Sequence, residues 1–190
     1  MQNTKVVIKT QSKSYPIYFG EKIINSTGSI IYKNLPEVKK IGIFVDKNIP
    51  SKIVKKLSHS LKKYEVKIYK FIASEKTKEF NKANIMVENL IRENFNRSDC
   101  VIGLGGGILG DFSSFVASIT KRGLKFINIP TTLLAQSDSS IGGKTAVNSS
   151  QGKNLIGTFY QPDFVISDTS VLKSLPKREI ICGYAEILKH

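Results

Sequence analysis

No run of about 18 consecutive apolar residues occurs in the 190 residues, so no membrane-spanning helix and no membrane partner are expected. Cysteine is scarce. Cys100 and Cys182 do not make a disulfide framework, and a reducing, cytoplasmic setting is the expectation. The amino-terminal residues alternate apolar and polar positions and lack the continuous apolar core of a secretory signal. Histidine is limited to His59 and His190. Acidic residues are in deficit, 15 against 29 Lys and Arg, for a formal charge of +14. That balance raises nucleic acid as a partner, but the lysines are scattered over helix faces and loops. No basic stripe with interleaved aromatics appears, so no nucleic acid is expected. Lysine serves here as the general solvating residue, with steering of anionic small molecules as an added effect. Internal repeats and low-complexity tracts are also missing, and the length suits one ordinary domain with a sizeable core.

What is present is alternation. Residues 5–10 and 15–19 predict a hairpin turned through Gln11 to Ser14. Strands are expected at Lys40–Val45, Val66–Ile72, Cys100–Leu104, Lys125–Ile129 and Phe164–Ser167. Helices are expected at Ser51–Tyr64, Phe80–Phe95 and Asp111–Thr120, and a last one begins at Ser174 or Pro176. This pattern predicts an α/β fold, a Rossmann-like parallel sheet with helices on both faces, preceded by a β-hairpin. Ligands of such sheets bind at the carboxyl ends of the strands. Asp46 and Asn48, Ser74 to Lys78, the Gly105 loop and Thr131-Thr132 would then share one rim.

The stretch from Cys100 to Thr145 organises the chain. An apolar run ends in Gly105-Gly106-Gly107, followed by Gly110-Asp111 and a helix-spaced apolar segment. Strand, glycine turn and helix bring backbone N–H groups up against a phosphate. The glycines match G-x-G-x-x-G, yet the acid that holds a ribose about 20 positions on is lacking, since Phe126 and Ile127 stand there. Downstream, Thr131 and Thr132 close an apolar run. Asp138, Gly142-Gly143, Lys144 and Lys153-Asn154 follow. Lysine meets phosphate or carboxylate as a point charge, while an amide and an acid hydrogen-bond hydroxyls, which suits an anionic, hydroxylated ligand.

In order, these residues resemble the 3-dehydroquinate synthases. The likeness is carried by Gly105-Gly106-Gly107-x-x-Gly110-Asp111, Arg122-Gly123, Pro130-Thr131-Thr132-Leu133-Leu134-Ala135-Gln136-x-Asp138 and Gly142-Gly143-Lys144-Thr145. Gly152-Lys153-Asn154 and Gly183-x-Ala185-Glu186-x-x-Lys189 extend it. The resemblance implies conversion of 3-deoxy-D-arabino-heptulosonate 7-phosphate to 3-dehydroquinate and phosphate, with catalytic NAD and zinc or cobalt. It implies an NAD-binding domain over 1–170 and, over 171–190, the start of a helical metal and substrate domain largely absent from these residues. A homodimer of the complete enzyme is implied as well.

Residue by residue, the resemblance implies cofactor contacts from Asp46, Asn48, Ser74, Glu75, Lys78, Gly106, Gly107, Ile108, Leu109, Gly110 and Asp111. Thr131, Thr132, Lys144, Lys153, Val171 and Ser174 belong to the same set. Arg122, Asp138, Lys144, Asn154 and Lys189 match substrate or catalytic positions, and Glu186 matches a zinc ligand. From spacing alone, Glu186 and Lys189 read as an ion pair on one helix face. His190, one turn from Glu186, is expected not to bind the metal. Other readings stay open: a related cyclase such as a 2-deoxy-scyllo-inosose synthase, a non-catalytic NAD-binding module, or a polyol dehydrogenase that would accumulate NADH.

Overall fold

The computed structural model describes residues 4–189; His190, expected not to be a metal ligand, lies outside them. The chain opens with strands β1 (Thr4–Lys9) and β2 (Ser14–Gly20), then helix α1 (Thr27–Asn34). Strand β3 (Lys40–Asp46), helix α2 (Ser51–Ser60), strand β4 (Glu65–Phe71) and helix α3 (Phe80–Arg92) follow. Next come β5 (Cys100–Gly105), α4 (Gly107–Ile119) and β6 (Lys125–Pro130). Strands β7 (Lys144–Ser149), β8 (Gly152–Phe159) and β9 (Phe164–Asp168) lead to helix α5 (Lys177–Lys189).

Seven strands make one sheet in the order β1-β2-β9-β6-β5-β3-β4. Every neighbouring pair is parallel except β1 and β2. The expected α/β class is therefore present. The opening hairpin does not stand apart from the sheet, because β2 pairs with β9 and extends it. Strand β5 is buried along its whole length, as a central parallel strand covered on both faces must be.

Alternating side chains feed two cores. On one face, Ile41, Ile43, Ile102 and Ile127 pack with Ile31 of α1 and Leu57 of α2. On the other, Phe44, Val101 and Phe126 pack with Leu90 of α3 and Phe112, Phe115 and Val116 of α4. Rings reinforce that second core: Phe112 lies edge-on to Phe71, with centroids 5.3 Å apart, and 6.2 Å from Phe44.

Three features depart from the sequence expectation. Helix α1 was not foreseen; Gly28 allows it, since a Cβ there would sit 1.9 Å from the Ser60 carbonyl oxygen at the end of α2. Helix α4 starts at Gly107 rather than Asp111, which puts Ile108, Leu109, Gly110 and Asp111 in its first turn. The stretch from Lys144 to Phe159, for which no element was expected, is an antiparallel hairpin in which Val147 faces Ile156. The hairpin rests on α4: Val147 joins the second core and Thr158 Oγ1 donates to Ser118 Oγ at 2.9 Å.

The path of the sheet locates the crevice. From β3 the chain moves outward to β4, then returns to β5 on the other side of β3 and continues to β6 and β9. The direction of winding thus reverses between β3 and β5. In such sheets a ligand lies outside the carboxyl ends of the strands at that reversal.

Candidate functional site

Gly106 caps α4 in an extended conformation, and the Leu109 and Gly110 N–H groups both return to its carbonyl, at 3.1 and 3.0 Å. The N–H groups of Gly107 and Ile108 have no partner among the described residues. They point outward at the positive end of a thirteen-residue helix, the arrangement that binds an anion. The two glycines are needed because the chain comes close there. A Cβ on Gly106 would meet Thr132 Cγ2 at 3.1 Å, and one on Gly107 would meet Ser139 Oγ at 2.9 Å.

Asp46 ends β3, immediately across the reversal from the glycine turn. Its Oδ1 accepts the N–H of Asn48 at 3.1 Å and of Ala73 at 3.4 Å. A carboxylate thus stands beside the glycine turn on the neighbouring strand, upstream of it in the chain. Asn48 is exposed beside it.

The other wall is built from a 3-10 turn, Glu75–Lys78, and the β7–β8 hairpin. Lys78 is buried; its Nζ donates to Asp111 Oδ2 at 2.7 Å and to Asn154 Oδ1 at 2.6 Å. Burial pushes the Asp111 carboxyl upward, against the pull of Lys78. Asn154 holds the left-handed φ of 58°, and its N–H donates to Asn148 Oδ1 at 3.0 Å. Asn148 Nδ2 in turn donates to Glu75 Oε2 at 2.9 Å, and Lys153 lies 3.7 Å from Glu75 Oε1. The Asn148 bond holds the Glu75 carboxyl below its ordinary value, and the Lys153 charge adds to this. Ser74 precedes this turn and is half-buried.

Lys144, exposed at the start of β7, lines a narrow crevice with Gly110, Asp111 and Ser139. Thr131 is buried and its N–H donates to the Gly105 carbonyl at 2.9 Å, while Thr132 Oγ1 accepts the Ala135 N–H at 3.1 Å. Asp138 is exposed in the π-helical stretch Ala135–Ser139 that follows. Val171 and Ser174 sit in the 3-10 stretch after β9. They line a cleft of about 360 Å³ with Pro50 and Ile53 at the start of α2.

Three of the expected site residues stand apart from the others. The Leu109 side chain is wholly buried in the core, so only its backbone borders the turn. Lys78 is 3% exposed and is engaged by its protein neighbours. Arg122 stands beyond the far end of α4, about 20 Å from the glycine turn by helical rise, and is exposed with a left-handed φ of 66°. Helix length alone separates it from the crevice within one chain. Conversely, Asn148 and Ser139 were overlooked. The alternation of Thr145 and Val147 was the available signal for the strand that carries Asn148.

Helix α5 lies against the segment after β6. Glu186, three residues from Gly183 on that helix, is half-buried, and its Oε1 takes Lys189 Nζ at 3.1 Å. No group of three or more His, Cys, Asp or Glu side chains able to hold a metal exists among the described residues. No helix among them is long and apolar enough to cross a membrane.

Residues 68–182 match the family model described as 3-dehydroquinate synthase N-terminal. The chain belongs to this family. A 3-dehydroquinate synthase of Pelagibacter ubique (strain HTCC1062) is 53% identical over 186 residues, covering 98% of this chain and 50% of the relative. The chain spans about half the length of the curated relatives it matches. Among solved structures, 2-deoxy-scyllo-inosose synthase complexed with carbaglucose-6-phosphate, NAD+ and Co2+ superimposes with a TM-score of 0.91 at 32% identity, covering 98% of this chain and 50% of that one. A 2-epi-5-epi-valiolone synthase from Streptomyces hygroscopicus subsp. jinggangensis 5008, with NAD+ and Zn2+ bound, gives 0.82 at 26%, covering 97% and 51%. The chain thus shares its fold with these two synthases.

Proposed function

We propose that the protein is a 3-dehydroquinate synthase, a phosphate-eliminating lyase of aromatic amino acid biosynthesis. It converts 3-deoxy-D-arabino-heptulosonate 7-phosphate to 3-dehydroquinate and phosphate, with NAD and a divalent metal, zinc or cobalt. The observation that carries this reading is the meeting of an anion-binding helix start with Asp111, Lys144 and the Asn154 hairpin at the sheet's reversal point. Family membership supplies the reaction.

The cradle fits NAD. The Gly107 and Ile108 N–H groups take the pyrophosphate, and Asp46, on the strand beside it, accepts from a ribose hydroxyl. Asn48, Ser74, Glu75, Thr131, Thr132, Lys153, Val171 and Ser174 frame the same ligand along the rim. When bound, NAD supplies a hydride acceptor that returns the hydride within the turnover. Lys144 holds an anionic group of the substrate, Asp138 accepts from its hydroxyls, and Lys189 pairs with its charge from α5. Residues 1–170 act as the NAD-binding domain and 171–190 begin a metal and substrate domain. A cytoplasmic homodimer is part of the same reading.

The metal does not fit the described residues by themselves. Glu186 is one candidate ligand, whereas catalytic zinc ordinarily has three protein ligands.

The test is turnover by the complete gene product with the heptulosonate phosphate, NAD and Zn2+ or Co2+. Equimolar phosphate and 3-dehydroquinate without NADH accumulation are expected. Net NADH formation from a polyol would overturn the assignment. The similarity to 2-deoxy-scyllo-inosose synthase favours one second reading, a cyclase of hexose 6-phosphates. Phosphate release from glucose 6-phosphate in place of the heptulosonate would select it.

A further inference from the structure

Tyr15 lies on β2, in the opening hairpin, and none of its surface is exposed. Its hydroxyl reaches a residue 127 positions away, accepting the Gly142 N–H at 2.9 Å. Burying a hydroxyl costs free energy unless it is hydrogen-bonded, and phenylalanine would fill the same space without that cost. What the position gains by carrying tyrosine is an acceptor for Gly142.

Gly142 is exposed, its φ of 105° suits glycine, and nothing stands within 4 Å of where its Cβ would be. Side-chain packing therefore does not hold this residue in place. Hydrogen bonds hold the turn from both sides. The Tyr15 hydroxyl takes the Gly142 N–H from the sheet, and the Tyr160 N–H, just past β8, donates to the Gly143 carbonyl at 2.6 Å. The second bond joins two parts of the hairpin segment and moves with it. The first ties that segment to the seven-stranded sheet, one residue before Lys144 opens β7.

We propose that Tyr15 is a positioning residue for Lys144: its hydroxyl pins the Gly142-Gly143 turn to the sheet and so fixes where the lysine stands. The inference rests on the proposed function for the role of Lys144 on a substrate anion, while the pinning follows from the geometry. A lysine stem is flexible, so the backbone beneath it decides how much of its reach is productive. Misplacement by about 1 Å from a change far from the chemistry can cost about 100-fold in rate.

The decisive variant is Tyr15→Phe in the complete gene product, which keeps the ring and removes the acceptor. Hydrogen exchange is followed at the Gly142 amide, and kcat and KM by phosphate release. Exchange at Gly142 should quicken about tenfold or more, the scale of one hydrogen bond. The value of kcat/KM should fall by about 10- to 100-fold. The freed Gly142 N–H is exposed to water, so the melting temperature should stay within about 4 °C of wild type. A hydroxyl that served stability alone would lower the melting temperature and leave kcat/KM in place well below it.

In the double variant with Lys144→Ala, kcat/KM should match that of Lys144→Ala alone, because a turn that carries no lysine has nothing left to place. If Tyr15→Phe does not fold, 4-fluorophenylalanine at position 15, which fills nearly the volume of tyrosine without its hydroxyl, decides in its stead. Wild-type kcat/KM without the hydroxyl, unchanged exchange at Gly142, or losses that multiply in the double variant would overturn the proposal. Failure of the wild type to release phosphate would instead sink the proposed function, and the exchange result at Gly142 would still stand.

Discussion

Gly183 of α5 lies so close to Leu133 that a Cβ on the glycine would stand 2.5 Å from the leucine Cβ, and 2.8 Å from the Leu134 backbone nitrogen. This contact seats α5, and with it Glu186 and Lys189, on the segment that carries Asp138. Gly183→Ala must push the helix away from backbone, not from a flexible side-chain tip. We expect a loss of about 1–3 kcal/mol in urea unfolding, typical of overpacking. Wild-type stability would show that α5 tolerates a different seat.

The glycine turn predicts a binding defect without a large folding defect. Gly107→Val places branched carbon against Ser139 and beside the outward N–H groups. NAD affinity should fall at least about tenfold, measured by calorimetry. Unchanged affinity would remove this turn from the cofactor site.

Lys144 is exposed and makes no ion pair among the described residues, so its loss should leave stability within about 0.5 kcal/mol. If it holds the substrate's charge during reaction, Lys144→Ala should lower turnover of the complete enzyme by about 100-fold or more. Retained turnover would dismiss it from the chemistry.

Phe112 is fully buried in the first half of α4, between Phe44 and Phe71. Phe112→Ala should cost about 3–5 kcal/mol in chemical denaturation. A cost under about 1 kcal/mol would mean that the second core collapses around the gap.

Tyr160 is pushed up to about 12, first by burial and then by the nearby Asp163 charge. Its hydroxyl donates to the Leu124 carbonyl at 2.5 Å. A raised tyrosine contributes stability that is complete below its unfolded value near 10 and fades as pH rises through the folded value. Stability should therefore decline between about pH 10 and 12, and less steeply in Tyr160→Phe. Identical alkaline profiles would refute this.

Much of the frame was legible because long apolar runs announce buried strands. Cys100–Gly105 and its glycines could be read directly, and so could the α2 and α3 faces. The β7–β8 hairpin was not, since Ser, Thr, Asn, Gly and Lys fill it and its core contact depends on isolated Val147 and Ile156. Helix α1 hid behind Gly28 and Ser29, poor helix formers that tertiary packing overrides. The site was legible as a set of residue types but not as an arrangement. A sequence shows how far Asp46 is from Gly106 along the chain, not that β3 and β5 are neighbours. Lysine is almost never fully buried, so nothing in the local sequence marked Lys78 as an interior anchor. The position of Arg122 was illegible for a related reason: proximity in a motif series says nothing about which end of a helix a residue occupies.

The hairpin between β6 and β9 hangs on α4, not on the seven-stranded sheet. Floor and wall of the crevice are in that sense separable parts. The floor, made of strand ends and the glycine turn, is fixed by two cores and leaves little latitude for change. The wall is a two-stranded flap whose outward residues answer to no core. Substitutions there can reshape what the crevice admits while the glycine turn persists, giving such a chain a route to new ligands that bypasses the folding problem.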